Sequence, residues 1–407
     1  MNEQTIRAPF RGGSLSSAYE ETFGGFFKGK RVLVTGAAGV KGAWLCTALI
    51  ALGASVTGMD VKTPSPTSNF ALSGLKQRMR FRKGDVTNPR LVHELVEGQD
   101  CVFHLAARVL VHDCEANPLQ SYLTNTFGTA TMLEAFRRSA TARYAVFVTT
   151  DKVYRAKERE AWVEHDPLFA SGTYAISKAC AEQVIADYRV RLESAGKRWG
   201  VARAGNVLVG GDFYSSSKTN GAGRIAADCF EALLAGRRPE IFTPSFTRPY
   251  TYGLDILSGY MSLMARLDDE AVQGEAFNFG PHELGGIPNG VLAAKICQEW
   301  GNDITPRVGP ARSEPFATQA LCWDKAQNCL GWQPAYELDQ AIEDTVAWYR
   351  GWSRVKDHPS PGALRSANRE LLQRHYEKAA RRGIWWAASS APPGKSVEME
   401  PSEMASV

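Results

Sequence analysis

The stretch Arg31-Val-Leu-Val-Thr-Gly-Ala-Ala-Gly-Val-Lys-Gly-Ala-Trp-Leu45 changes its pattern once, at a run of glycines. Before Gly36 it is a continuous apolar run, the signature of a buried strand. From Gly42 the apolar residues continue to Leu52 as a helix. Between the two, Gly36, Gly39 and Gly42 have the spacing G-x-x-G-x-x-G. Glycines permit a tight turn and let backbone N–H groups reach a pyrophosphate at a helix N-terminus. A glycine triplet alone also fits a packing turn, but the strand before it and the helix after it supply the context a nucleotide site needs.

Outward from this unit the alternation continues. Strands are expected at 55–59, 79–83, 101–105, 144–148 and 200–204, with helices at 91–96, 119–138, 174–193 and 339–352. Strands separated by helices imply parallel pairing with right-handed crossovers, hence an α/β doubly wound parallel sheet of the Rossmann type. Residues 1–26 are Gly/Ser-rich and read as a flexible arm. Residues 27–209 form the dinucleotide-binding domain, and 210–352, rich in loops, Pro and Gly, mainly a smaller substrate-binding region. Residues 353–407 are a basic helical segment and a disordered tail.

The chain has 407 residues, a formal net charge of +4 and eight scattered cysteines. So small a charge gives no argument for nucleic acid as a partner. No apolar stretch is long enough to span a bilayer, and the N-terminus lacks an apolar targeting core, so a cytoplasmic protein without membrane contact is expected. No cysteines form a C-x-x-C pair, so neither zinc nor a disulfide framework is indicated and no metal is expected.

The nucleotide half is assigned to Gly36, Ala38, Gly39, Val40 and Gly42. Asp60 ends the second strand, 18 residues past Gly42. A carboxylate there binds both ribose hydroxyls and repels a 2′-phosphate, favouring NAD over NADP, a preference that nearby Lys62 weakens a little. Asp85 and Val86 fit an adenine-contacting loop, although Asp85 is equally a turn residue. Leu105, Ala106 and Ala107 end the fourth strand, where small residues let the backbone pass a cofactor. His104 reads as a core histidine.

Two further stretches carry chemistry. Thr149-Thr150-Asp151-Lys152 ends the fifth strand, and Tyr174-Ala-Ile-Ser-Lys178 opens a helix. A tyrosine and a lysine four apart share a helical face, so the lysine charge is expected to lower the phenol pKa towards neutrality. The hydroxyl, carboxylate and amine upstream are more proton-transfer equipment than a plain alcohol dehydrogenase needs.

Together these pieces resemble the extended short-chain dehydrogenase/reductase superfamily. The stretches Phe27 to Gly36, Lys41-Gly-Ala-Trp-Leu45, Asp151-Lys-Val-Tyr154, Arg203-Ala-Gly-Asn-Val207, Phe277-Asn-Phe-Gly-Pro281 and Leu330-Gly-Trp-Gln-Pro334 are similar to its CDP-glucose 4,6-dehydratase branch, from about residue 26 to 352. The resemblance implies a recycled NAD and a nucleotide-diphosphate hexose substrate. Tyr174 would take the proton from O4 while C4 gives hydride to NAD. A base would remove the C5 hydrogen, an acid would protonate the departing 6-hydroxyl, and the hydride would return to C6. In that scheme Thr150 bonds O4, Asp151 is the acid and Lys152 the C5 base. Tyr174 and Lys178 are the redox pair, with Thr149 beside them and Lys178 also on the nicotinamide ribose. Asn125, grouped with the substrate side, resembles an asparagine that supports the active-site backbone. Asn206, Arg224 and Arg248 would meet sugar or diphosphate, where a guanidinium fork matches paired oxygens. A homodimer or larger homo-oligomer is a family-level expectation.

Several readings stay open. Lys152 also fits an exposed or salt-bridged lysine, and Arg224 an exposed arginine. Ser171-Gly-Thr173 stands where the family often has Tyr-Asp-Pro, and Arg155 where it often has an acid, which allows a shifted sugar or base. A 4-epimerase or a C4-oxidising decarboxylase uses the same Tyr/Lys chemistry, but commonly has a small or neutral residue where Asp151 stands. A non-catalytic dinucleotide-binding protein would have lost the Tyr/Lys pair. The basic run Arg365 to Arg382 with Trp385-Trp386 reads as a solvated helix packing its own dimer, or as a docking surface.

Overall fold

The structure, a computed structural model, describes residues 17–155, 160–214, 224–283, 286–301, 303–310 and 319–388. Its first half alternates as the periodicity predicts. In order come β1 (Arg31–Thr35), α1 (Val40–Ala51), β2 (Ser55–Asp60), β3 (Arg80–Lys83), α2 (Pro89–Val96), β4 (Cys101–His104), α3 (Gly128–Arg138), β5 (Tyr144–Val148), α4 (Thr173–Ser194) and β6 (Arg198–Ala204). The second half adds α5 (Ile225–Leu234), α6 (Gly253–Ala265), β7 (Ala276–Phe279), α7 (Asn289–Trp300), α8 (Leu338–Val355) and α9 (Arg365–Arg381). The seven strands form one parallel sheet in the order β7-β6-β5-β4-β1-β2-β3.

All five residues of β5 are buried, because helices cover both faces of the sheet. On one face Trp44, Leu45 and Leu49 of α1 meet Tyr260 and Met264 of α6. On the other, Val92, Met132, Phe136 and Ile185 pack from α2, α3 and α4. Each such side chain contributes ~1.5–3 kcal/mol on burial. The chain after 210 does not simply abut the sheet edge. It supplies β7, paired in register with β6, and α6, which covers one face.

The helix expected over 119–138 is interrupted. It runs as Pro118–Tyr122, a π-helical segment Leu123–Phe127, and α3. The wide turn carries Asn125, and such insertions often mark functional positions.

Two expectations fail at the ends. Within the arm, residues 17–26 are packed, while 1–16 lie outside the described residues. Tyr19, Phe23 and Phe27 recur every fourth residue and are all buried, a pattern hidden by the Gly/Ser composition. Phe23 stacks on Trp386 at 5.0 Å with planes 8° apart, and its N–H donates to the Trp386 carbonyl at 2.8 Å. That contact holds Phe23 at φ +55°, a left-handed conformation that a bulky residue rarely adopts. The basic segment is not a solvated face. Leu371, Leu372, His375, Ala379, Ile384 and Trp386 are buried against this same chain. His375 bonds the Asp255 carboxylate at 2.8 Å, and Asn368 accepts from the Trp348 indole at 2.9 Å. The end of the tail, 389–407, lies outside the described residues.

Among the described residues no helix is long and apolar enough to cross a membrane, and no cluster of His, Cys, Asp or Glu is arranged to hold a metal ion.

Candidate active site

The C-terminal ends of the parallel strands open onto a cavity of about 1090 Å³. Its nucleotide end is built by the glycine turn. Gly36 has φ +71°, and a Cβ there would lie 3.0 Å from the Ala106 backbone nitrogen; one on Gly42 would lie 2.1 Å from the Gly36 carbonyl oxygen. A side chain at either position would collide with this backbone and distort the turn. Val40, Lys41 and Gly42 line the cavity as the first residues of α1, where backbone N–H groups lack intrahelical partners. With no acidic residue in that turn, its polarity suits an anion. Asp60 accepts from Ala38 N at 3.0 Å and from Lys62 N at 3.0 Å, which ties its carboxylate to the turn. Gly39, Asp85, Val86, Leu105, Ala106 and Ala107 line the same end. The cradle, the helix end and the acidic residue after β2 fit a dinucleotide with a free ribose diol.

Thr149, Thr150, Asp151, Lys152 and Tyr174 line the middle. Beyond β5 the chain folds into a 3₁₀ turn, Asp151–Val153. Thr150 caps it, accepting from Lys152 N at 3.4 Å and donating its hydroxyl proton to Asp151 Oδ1 at 2.9 Å. Asp151 is 1% exposed, and its Oδ2 has no hydrogen-bond partner among the described residues. A buried carboxylate oxygen without a donor is costly, which suits an atom whose partner is a ligand.

Tyr174 departs from the expected electrostatics. Burial pushes its phenol up to about 12, against a hydrogen bond with Thr150 that pulls it down. The Lys178 amine is 3% exposed and donates to the Val148 carbonyl at 2.7 Å. Burial brings it down to about 8, with Glu182 pulling the other way. Lys178 is not among the residues that line the cavity in this arrangement.

Asn125 also lies behind the wall. Its amide accepts from Arg108 N at 2.8 Å and donates to Arg108 O at 3.0 Å and Ser177 Oγ at 2.9 Å. It supports the backbone and is fully buried, which corrects its grouping with substrate contacts. Asn206, Arg224 and Arg248 do line the far end. Arg224 pairs with Asp212 at 2.6 Å rather than standing exposed, and Arg248 is buried, donating to the Thr247 carbonyl at 2.7 Å.

Sequence reasoning missed two features. A buried ion pair of Glu182 on α4 and Arg203 on β6 underlies the 3₁₀ turn. Thr149 donates to Glu182 at 2.6 Å, and Arg203 donates to the Tyr154 hydroxyl at 2.8 Å. Arg203 stands in the sequence as part of the Arg-Ala-Gly-Asn-Val stretch, and nothing local marks its partner. The second is Lys41, which lines the cavity. Its place between two glycines of the turn was the available signal.

Residues 32–280 match the family described as the NAD dependent epimerase/dehydratase family. The chain is 31% identical over 347 residues to a CDP-glucose 4,6-dehydratase of Salmonella typhimurium, covering 82% of this chain and 94% of the other. It is 27% identical over 328 residues to a UDP-glucose 4-epimerase of Mycolicibacterium smegmatis, covering 80% of this chain and 100% of the other. Among solved structures, a dTDP-glucose 4,6-dehydratase of Streptomyces venezuelae with NAD bound aligns at TM-score 0.67 and 25% identity, covering 79% of this chain and 97% of that one. Dehydratases and an epimerase thus align over the same span.

Proposed function

Because the chain belongs to the NAD dependent epimerase/dehydratase family, we propose that it is a nucleotide-sugar 4,6-dehydratase and that its substrate is CDP-glucose. The cofactor is NAD, which supplies the hydride acceptor and donor when bound. In this reading 27–209 carries the cofactor side and 210–352 mainly the substrate side, with Arg224, Arg248 and Asn206 near the diphosphate and sugar.

The observation that carries the proposal is Asp151: its Oδ2 is buried without a partner among the described residues, and the residue lines the same cavity as Thr150, Lys152 and Tyr174. An epimerase has no leaving group to protonate; an elimination has. Tyr174 takes the proton from O4, with Thr150 bonding the same oxygen. Lys152 removes the proton on C5, which the 4-keto group has acidified. Asp151 protonates the 6-hydroxyl as it leaves. The product is a 4-keto-6-deoxy sugar nucleotide.

The protein works as a homodimer in this proposal. Leu119, Leu123 and Phe127 are exposed at helical spacing beside exposed Ile176 of α4, an apolar strip across neighbouring helices. Sedimentation tests it: Phe127→Glu should run as a monomer if the strip is the interface.

Incubation with CDP-, UDP-, GDP- and dTDP-hexoses, followed by mass spectrometry, tests the activity. Loss of one water from CDP-glucose without net release of reduced cofactor is expected. If every sugar nucleotide survives intact, the dehydratase reading is wrong; if the mass is unchanged but the C4 configuration inverts, the epimerase reading replaces it.

A further inference from the structure

The start of α9 is docked on the chain between β2 and β3. Gly362 N donates to the Ala71 carbonyl at 3.2 Å, and Leu364 N to the Leu72 carbonyl at 2.9 Å. Behind them the Asn368 amide donates to Asn69 Oδ1 at 2.8 Å and to Ser73 Oγ at 2.6 Å, and all three residues are buried. This docking brings Arg365 and Arg369, four apart on one face of α9, up to Arg78, which follows the 3₁₀ turn Leu75–Gln77. Glycines clear the space: a Cβ on Gly74 would collide with the Arg365 guanidinium, and one on Gly362 would crowd it.

Three guanidinium groups thus meet without an acid among them. Arg78 Nη1, Arg365 Nε and Arg369 Nε are buried and have no hydrogen-bond partner among the described residues. Burial pushes the Arg78 pKa down, and the charges of Arg365 and Arg369 push it the same way. Glu370, next in sequence to Arg369, is acted on by Arg374 instead, and the first turn of α9 carries no acidic residue. Buried donors on a cation are costly when unmet, and repulsion between like charges adds to the cost. An anion that accepts from all three removes both penalties. The three side chains remain partly exposed, so a small solute can reach them. None of them lines the cavity, and Arg365 and Arg369 lie beyond the matched residues 32–280.

We propose that Arg78, Arg365 and Arg369 form a second anion site, separate from the cavity, that binds a phosphate group. A guanidinium presents paired N–H donors that match paired phosphate oxygens. Three of them suit a terminal phosphate, which has three acceptor oxygens and nearly two charges, better than a carboxylate, which has two oxygens and one charge. The phosphate arrives free or as the end of a nucleotide, and both sources share this chemistry.

Titration calorimetry on the full chain tests the site, with inorganic phosphate, pyrophosphate and CDP as probes and NAD present to fill the cofactor cradle. Arg78→Gln and Arg369→Gln each remove one cation, from different elements, so a folding defect in one leaves the other to decide. Affinity for pyrophosphate should fall about tenfold in each. It should be unchanged in Arg224→Gln, a cavity variant. Similar affinities for pyrophosphate and CDP, weakened together in Arg369→Gln, would make the phosphate group alone the ligand. Much tighter CDP binding, weakened in the same variants, would make a nucleotide its carrier. Binding that survives in Arg78→Gln and Arg369→Gln but is lost in Arg224→Gln belongs to the cavity and overturns the proposal. So does a wild-type protein that binds none of the three probes. No sugar turnover is read, so this result and the dehydratase reading can each fail without the other.

Discussion

Lys178 donates its Nζ proton to the carbonyl oxygen of Val148 at 2.7 Å, although Tyr174 lies one helical turn away on the same face of α4. The lysine is spent on the end of β5, and burial leaves the phenol up at about 12. Burial thus opposes the phenolate that the proposed base step requires, and the hydrogen bond with Thr150 favours it. Tyr174→Phe keeps the ring and removes the proton carrier. C4 oxidation, read as reduced cofactor in a single turnover, should slow ~10³-fold, within the range for a positioned acid–base group. The melting temperature should change little, and an undiminished rate would remove Tyr174 from the chemistry.

Lys178 also makes a statement about stability. Its amine is brought down from 10.5 to about 8 in the folded protein. Between those values the unfolded chain holds the proton and the folded one does not, so folding is favoured increasingly as pH rises from about 8 to 10.5. Below about 8 both states are protonated and the cost of the buried charge is fully present. Against Lys178→Met, which cannot titrate, the wild type should gain ~3 kcal/mol of relative stability across that window. Urea melts of both proteins at several pH values measure it, and parallel profiles would contradict the buried charged lysine.

Asp151→Asn keeps the shape and loses the proton. Elimination should slow ~10²-fold or more, while C4 oxidation continues. Single-turnover mixing with CDP-glucose would then show reduced cofactor accumulating ahead of the dehydrated product. Equal loss of both steps would move Asp151 from acid catalysis to substrate binding.

The Glu182–Arg203 pair predicts an asymmetry. Both side chains are about 5% exposed, and the pair joins Thr149 to Tyr154 on either side of the 3₁₀ turn. Arg203→Met strands a buried carboxylate and should cost ~3–5 kcal/mol, whereas Glu182→Gln with Arg203→Met together should recover much of it. Denaturant melts of the single and double variants decide this; additive losses would mean the two groups do not act as a pair.

What was legible beforehand was local. The glycine turn, Asp60 after β2 and the Asp151–Lys152 turn after β5 each announce themselves within a few residues, because strand, turn and helix are short-range patterns. What was hidden depends on distance in the chain. Glu182 on α4 meets Arg203 on β6, 21 residues further on, and α6 and β7 complete a sheet begun by residues far upstream. The pKa of Tyr174 depends on enclosure, and helical spacing to Lys178 carries no information about where that amine points. In the arm, composition hid the aromatic spacing of Tyr19, Phe23 and Phe27; in the basic helix, charge hid the buried Leu371, Leu372 and Ala379.

The arm and the tail are expected to stabilise each other. Phe23 stacks on Trp386, Trp386 stacks on His375 at 5.3 Å, and His375 bonds Asp255 at the start of α6. Asp255 also accepts from Ala335 N and Tyr336 N at 2.8 and 3.1 Å, so it organises the entry to α8 as well. Trp386→Ala removes a side chain that is 2% exposed and should cost ~3–5 kcal/mol. Phe23→Ala should cost a similar amount, but the double variant less than the sum, by ~0.5–1.5 kcal/mol for the lost stack. A urea-denaturation cycle on the four proteins measures the coupling. Strict additivity would mean that arm and tail hold to the body independently, and a Trp386→Ala protein as stable as the wild type would mean that the tail is not docked in solution.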